Sequence, residues 1–243
     1  MSIKRAYMFD IDGTLTLSRK RMTVDHVFRF LSWSQNKDIF LVTGSDYDKA
    51  IEQIPSSVIS RCQGIFTSMG NVYHENQTVI YSNEFQLPEH VRNWLDNVLK
   101  TSKCPKDLVM TKHYELRPGM INFSICGRDV TQKQRKEYDK WDKLNNERTD
   151  IVTKFNKKFN EEDLEACLGG EISIDIQPTG KDKRQSVEAL QRKGYNEFIF
   201  FGDRAYPGGN DWGVCEYIVS NKIGTYYTVN GPNETVALLS EGI

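Results

Sequence analysis

The chain has 243 residues, 38% of them hydrophobic and 27% charged, with a formal net charge of −1. That length gives one large domain or two small ones a real core, in a composition ordinary for a soluble globular protein. A near-neutral chain without a basic stripe argues against nucleic acid as a partner, and without a bilayer-length apolar run no membrane span is expected.

The first residues, Met1-Ser2-Ile3-Lys4-Arg5-Ala6, run straight into a strand with no apolar leader and no cleavage site, which predicts a cytoplasmic protein. Tyr7-Met8-Phe9 is a short apolar run that stops at acidic and glycine residues, so it reads as a buried strand carrying chemistry at its C-terminal end. The spacing of Val24, Val27, Phe28 and Leu31 predicts a helix with those residues on its apolar face. Asp38-Ile39-Phe40-Leu41-Val42 is a second buried strand, and Thr43-Gly44-Ser45-Asp46 follows as a loop and helix cap. Tyr47, Ala50, Ile51 and Ile54 mark the next helix, which Pro55 ends. Strand, helix, strand, helix implies a parallel sheet with right-handed crossovers.

The pattern changes after about residue 82. Val91, Trp94, Leu95, Val98 and Leu99 predict a helix, and strands with strict alternation follow, as in a half-buried antiparallel sheet. Ile121-Asn122-Phe123-Ser124-Ile125-Cys126 and Ile172-Ser173-Ile174-Asp175-Ile176-Gln177 alternate so that Asn122, Ser124, Ser173 and Asp175 share a polar face. Between them, a Lys-rich helical stretch runs from about Thr131 to Phe159. From about residue 184 the parallel pattern resumes, with a helix through Val187 and Leu190 ending at Gly194 and a strand Glu197-Phe198-Ile199-Phe200-Phe201 leading into Gly202-Asp203. The fold expected is α/β: a Rossmann-like parallel-sheet core from residues 1–82 and 184–243, with an inserted α+β cap on an antiparallel sheet at residues 83–183.

Cys62, Cys104, Cys126, Cys167 and Cys215 have no C-x-x-C spacing and are odd in number, so they read as reduced thiols rather than a disulfide or zinc framework. His26, His74, His90 and His113 form no motif. Chemistry gathers instead at three strand ends: Asp10 and Asp12, then Thr43 and Ser45, then Asp203. In open α/β sheets, sites form outside the C-terminal strand ends, so residues distant in sequence can converge there.

Asp10-Ile11-Asp12-Gly13-Thr14 resembles the signature of the haloacid dehalogenase-like phosphotransferases. That resemblance implies Asp10 as nucleophile, Asp12 as general acid and base, and Thr43 or Ser45 holding the phosphoryl oxygens. It implies Lys183 supporting Asp10, and magnesium on Asp10, Asp203 and the backbone carbonyl of Asp12. The chemistry suits those roles: a carboxylate can take a phosphoryl group and split one hard transfer into two, while magnesium offsets the repulsion between two anions.

From Phe9 to about Thr228 the chain is similar to eukaryotic-type phosphomannomutases. Beyond the Asp10 motif and Thr43-Gly44-Ser45-Asp46, the matching segments are Glu115 to Asn122, Gly127-Arg128, Gly169 to Asp175, Asp182-Lys183-Arg184 and Phe200 to Asp211. The similarity implies interconversion of mannose 6-phosphate and mannose 1-phosphate with a hexose 1,6-bisphosphate activator, in a homodimer joined through the cap, within GDP-mannose biosynthesis. It places Arg19, Arg117, Arg128 and Arg135 on the substrate phosphates, and Asn122, Ser173 and Asp175 on sugar or phosphate. Arg117-Pro118-Gly119-Met120 stands where the family has Arg-Asn-Gly-Met, Ser68-Met69-Gly70 where it has Glu-Asn-Gly, Lys181 where it has an aromatic residue, and Thr43 where it often has glycine. A sugar phosphatase on the same core is the alternative, and a non-catalytic sugar-phosphate binder is a third reading, which the joint presence of Asp10, Asp12, Lys183 and Asp203 disfavours.

Overall fold

A computed structural model describes residues 3–241 of the chain. In chain order its strands are β1 (Arg5–Phe9), β2 (Asp38–Val42), β3 (Gly64–Thr67), β4 (Val72–Glu75), β5 (Thr78–Ser82), β6 (Tyr114–Arg117), β7 (Met120–Phe123), β8 (Leu164–Leu168), β9 (Ile174–Pro178), β10 (Glu197–Gly202) and β11 (Gly224–Thr228). The chain forms two compact units: residues up to Asn83 together with those from Gly180 onward, and Glu84–Thr179. Lys183 therefore lies in the same unit as Asp10, whereas the sequence reading ended the inserted segment only at residue 183.

The first unit is built on a seven-stranded sheet in the order β11-β10-β1-β2-β3-β4-β5. β11, β10, β1, β2 and β3 run parallel, and β4 and β5 turn back antiparallel at one edge. Successive side chains of a strand point to opposite faces, and here both faces are apolar. Ala6, Met8, Phe40, Phe198 and Phe200 pack with Val187 and Leu190 of the helix Arg184–Arg192 and with Val214 and Ile218 of the helix Trp212–Ser220. Tyr7, Phe9, Leu41 and Phe201 pack with Phe30 of the helix Val24–Trp33, Ala50 of the helix Tyr47–Gln53 and Leu239 of the helix Pro232–Ser240. Helices cover both faces, which is why the central strands read as unbroken apolar runs rather than alternating ones.

One apolar face differs from the sequence reading. The helix Val24–Trp33 turns Phe30 inward, with Val27, Leu31 and Trp33 beside it, and leaves Val24 and Phe28 exposed. The Phe30 ring meets Phe9 edge-on at 5.3 Å between centroids. Burying that ring against the sheet sets the helix rotation, which four-residue periodicity alone did not resolve.

The second unit carries a four-stranded antiparallel sheet in the order β6-β7-β9-β8. Phe123, Ile174 and Ile176 of that sheet share a core with Val91 and Leu95 of the helix Glu89–Thr101 and with Ile151, Phe155 and Phe159 of the helix Glu147–Phe159. The Lys-rich helical stretch holds two helices, Gln132–Asn145 and Glu147–Phe159. Asn146 between them has φ +56°, a left-handed conformation that asparagine tolerates better than most residues. Thr131 and Gln134 close the start of the first helix as a reciprocal capping box.

The alternating strands are shorter than expected. β7 ends at Phe123 and β9 starts at Ile174, so Ser124 and Ser173 sit in the connections, Ser124 donating to the Ile172 carbonyl at 2.8 Å. The face carrying Asn122 and Asp175 is buried rather than solvated; the two residues are cross-strand partners, and Asn122 Nδ2 donates to Asp175 Oδ1.

Candidate active site

The parallel strands bring the ends of β1, β2 and β10 to one edge of the sheet, which collects residues from three distant parts of the chain. Asp10 directly follows β1, and its backbone N–H donates to the Phe201 carbonyl of β10 at 2.9 Å, which pins the start of the loop to the neighbouring strand. Gly13 has φ +87°, and a Cβ there would lie 2.4 Å from Asp203 Oδ2. Glycine at this position permits both the turn and the close approach of the carboxylate from β10.

Lys183, fully buried at the start of the helix Arg184–Arg192, donates from Nζ to Asp10 Oδ1 and, at 2.6 Å, to Asp211 Oδ1. Asp211 Oδ2 accepts the Arg204 backbone N–H at 2.9 Å, and Thr14 Oγ1 donates to the second oxygen of Asp10 at 3.4 Å. Asp10, Asp203 and Asp211 each place a carboxylate oxygen within 4.8 Å of the others. Burial pushes the Asp10 carboxyl well above the usual carboxylate range, against the pull of Lys183 and with added repulsion from Asp211 and Asp203. Burial and the neighbouring Asp211 push Asp203 up to about 7, against Arg204 and Lys183. Burial alone would lower Lys183, but Asp10 and Asp211 outweigh it and hold the ammonium charged. Three carboxylates around one ammonium leave excess negative charge on hard oxygen donors, the chemistry that suits a divalent cation such as magnesium.

Asp211 received no role in the sequence reading, although it closes the Pro-Gly-Gly-Asn-Asp string after the β10 end. An acidic residue that soon after a Gly-Asp strand end, just before the helix Trp212–Ser220, was the available signal. The carboxylate of Asp12 is not part of the cluster. Its Oδ1 accepts the Arg19 backbone N–H at 2.9 Å, while Ser45 Oγ and Gln53 Nε2 each lie 3.5 Å from its Oδ2. Arg19 itself has φ +59°, and that turn is what brings its N–H to Asp12.

Thr43 and Ser45 are both buried; Thr43 Oγ1 accepts the Ser45 N–H at 3.1 Å, and Ser45 Oγ faces Asp12. Their loop is braced from behind: Ser68 N–H donates to the Ser45 carbonyl at 2.8 Å and Met69 N–H to the Thr43 carbonyl at 3.0 Å. Ser68, Met69 and Gly70 all have positive φ, so this segment is a left-handed turn. Gln53 escaped the sequence reading because its buried place beside Asp12 is set by a helix face, not by a motif.

The second unit sets three of the predicted arginines, Arg117, Arg128 and Arg135, on partly buried acids. Arg117 Nε and Arg128 Nε donate to the two carboxylate oxygens of Glu115 at 3.2 and 2.7 Å, and Arg135 Nε donates to Glu171 at 3.4 Å. Each donates through Nε, and all three side chains are largely buried. Asn122, Ser173 and Asp175 are buried in the same unit. Glu115 and Glu171 were quoted in the sequence only as parts of longer segments; their arginine partners come from the same strand, a connection and a helix.

A mixed sheet with a separate antiparallel unit in the middle of the chain, an Asp-x-Asp at one strand end, a lysine on the first aspartate and acids at another strand end are together the marks of a haloacid dehalogenase-like phosphotransferase. The fold agrees with a solved sugar phosphatase described as HAD subclass IIB, at a TM-score of 0.55 and 17% identity over 97% of this chain and 91% of that one. The family model for eukaryotic phosphomannomutase matches residues 28–243, and the chain belongs to that family. Curated relatives include a phosphomannomutase of Triticum aestivum, 34% identical over 94% of this chain and 91% of its own. Phosphomannomutase 1 of Dictyostelium discoideum is 30% identical, over 96% of this chain and 94% of its own.

Proposed function

We propose that the chain is a phosphomannomutase, an isomerase that interconverts mannose 6-phosphate and mannose 1-phosphate by phosphoryl transfer through Asp10. The family relationship supports this reading. The observation that carries the chemistry is the buried Asp10, tied to Lys183 and crowded by Asp203 and Asp211.

Asp10, carrying a phosphoryl group on one carboxylate oxygen, gives it to the 6-hydroxyl of mannose 1-phosphate. Asp12 takes the hydroxyl proton as the new P–O bond forms and the aspartyl P–O bond breaks. The resulting hexose 1,6-bisphosphate turns end for end and returns its 1-phosphoryl group to Asp10, with Asp12 protonating the departing sugar oxygen. The products are mannose 6-phosphate and an enzyme ready for the next cycle. Lys183 holds Asp10 oriented and offsets its charge, and Ser45, Thr43 and Arg19 hold the phosphoryl oxygens near it. Asp10, Asp203 and Asp211, with the Asp12 carbonyl, would hold magnesium, which neutralises the incoming phosphoryl charge.

The Glu84–Thr179 unit serves as the cap. Arg117, Arg128 and Arg135 take the phosphate that is not reacting, because a planar guanidinium binds two oxygens at once, and Asn122, Ser173 and Asp175 take the sugar hydroxyls. By the same resemblance the protein is a cytoplasmic homodimer joined through the cap, supplying GDP-mannose biosynthesis. Light scattering that shows a monomer would remove the dimer.

Phosphorus NMR tests the reaction. The chain, mannose 1-phosphate, magnesium and a trace of hexose 1,6-bisphosphate should yield mannose 6-phosphate. Release of inorganic phosphate without any 6-phosphate would sink the mutase reading and establish a phosphatase.

A further inference from the structure

Arg148 is one of the most enclosed charged residues in the second unit, 3% exposed. It sits in the first turn of the helix Glu147–Phe159, just past the left-handed Asn146. Its Nε donates to Asp142 Oδ2 at 2.8 Å and its backbone N–H to Asp142 Oδ1 at 2.9 Å, so one carboxylate fixes both the side chain and the helix start. Nη1 points the other way, into the connection between β8 and β9, where it donates to the carbonyls of Gly169 (3.2 Å), Gly170 (2.9 Å) and Ser173 (3.1 Å).

That connection bears on three residues assigned above to the substrate. Gly169 N–H donates to the Ser173 carbonyl at 3.0 Å, closing the loop. A Cβ on Gly169 would lie 2.8 Å from Asp175 Oδ2 and 2.9 Å from Ser173 Oγ, so the bare backbone of Gly169 is packed against both side chains. Glu171, within the loop, accepts Arg135 Nε. A planar, permanently charged fork can hold a carboxylate and several carbonyls at once, which a lysine ammonium on a flexible stem cannot.

We propose that Arg148, clamped by Asp142, is a positioning residue for sugar-phosphate binding: it fixes the Gly169–Ser173 loop and thereby places Ser173, Asp175 and Arg135. The inference rests on the reading that those three residues hold the substrate. Binding groups must be kept close to their productive geometry by a supporting layer, and here one guanidinium holds three carbonyls of that layer at once.

Steady-state kinetics with mannose 1-phosphate on the full chain tests it. Arg148→Lys should raise KM about tenfold or more while kcat changes only a few-fold, because the loss falls on binding and not on the phosphoryl step. Gly169→Ala, which crowds Ser173 and Asp175 without touching Arg148, should show the same split. A folded Arg148→Lys chain, judged by thermal melting, with unchanged KM would overturn the proposal. Amide exchange supplies an arm that needs neither activity nor a folded variant. In the wild-type chain residues 169–173 should be protected, and exchange there at the rate of an open loop would overturn the proposal. A wild-type chain that made no mannose 6-phosphate would defeat the mutase reading, and amide exchange would still decide whether the Gly169–Ser173 loop is held as the proposal requires.

Discussion

In the first unit three carboxylates, Asp10, Asp203 and Asp211, meet one ammonium, Lys183. In the second, Arg117 and Arg128 share Glu115, Arg135 has Glu171 and Arg148 has Asp142. Both units bury charge, with opposite accounting. Each of the four arginines has a carboxylate partner, Arg117 and Arg128 sharing one, so they are held rigid before any ligand arrives, and an unpaired buried guanidinium would be costly. The aspartates are under-neutralised, and the tighter hold of Asp10 and Asp203 on their protons shows it. A site left short of positive charge calls for a cation and then for a phosphoryl group, whereas a site already paired offers directional donors for recognition. On the proposed reading, chemistry belongs to the first unit and recognition to the second.

Removing the proposed nucleophile tests this division most severely. Asp10→Asn should cost at least about a thousandfold in kcat and abolish the phosphorylated enzyme seen by mass spectrometry. Full turnover in that variant would end the covalent reading. Next comes the missing positive charge. Stripping divalent cations with a chelator should lower mutase activity by about a hundredfold or more, with recovery on adding magnesium and little change in the melting of the second unit. A smaller effect separates recognition from chemistry: Arg135→Lys keeps the charge but loses the fork, and should raise KM for mannose 1-phosphate about tenfold with kcat within a few-fold. A fall in kcat with KM unchanged would blur the division.

The smallest effect is on stability. With chelator present, the folded chain holds a proton on Asp203 up to a pH of about 7, where an unfolded chain would already have lost it. A group whose folded value is raised makes the fold less stable as pH climbs from the ordinary carboxylate value to the raised one. Melting should therefore move down between about pH 4 and pH 7, by at most about 1.4 kcal/mol per pH unit from this group. A quarter of the Asp203 side chain remains exposed, which keeps the effect below that ceiling. Asp203→Asn should flatten the slope, and magnesium should reverse it by favouring the ionised form. A slope unchanged in the variant would show that Asp203 is not the group responsible.

The sequence was legible where a backbone run and a chemical motif coincide. Apolar runs ending in acidic or hydroxyl residues located β1, β2 and β10, and with them Asp10, Asp12, Thr43, Ser45 and Asp203. It was less legible where partners come from packing. Val24 and Phe28 fit a helical spacing that the Phe30 ring overrides. The break at Asn146 went unread although Asn145-Asn146 is a weak stretch for a helix, and the packing of the second helix against β8 and β9 requires a turn there. Asn122 and Asp175 were placed on one face from alternation, yet their burial depends on what covers that face.

By itself the sequence determined the class of chemistry: an Asp-x-Asp at a strand end, with Lys183 and Asp203 elsewhere in the chain, points through its family resemblance to phosphoryl transfer, and those residue types suit that transfer. Tertiary structure alone decided how the charges balance. It joined Asp211 to Lys183, set Gln53 and Ser45 on Asp12, gave Glu115 its two arginines and put Arg148 behind the Gly169–Ser173 loop. The physical reason is that a motif is local, whereas the cost of burying a charge depends on partners that only folding brings near.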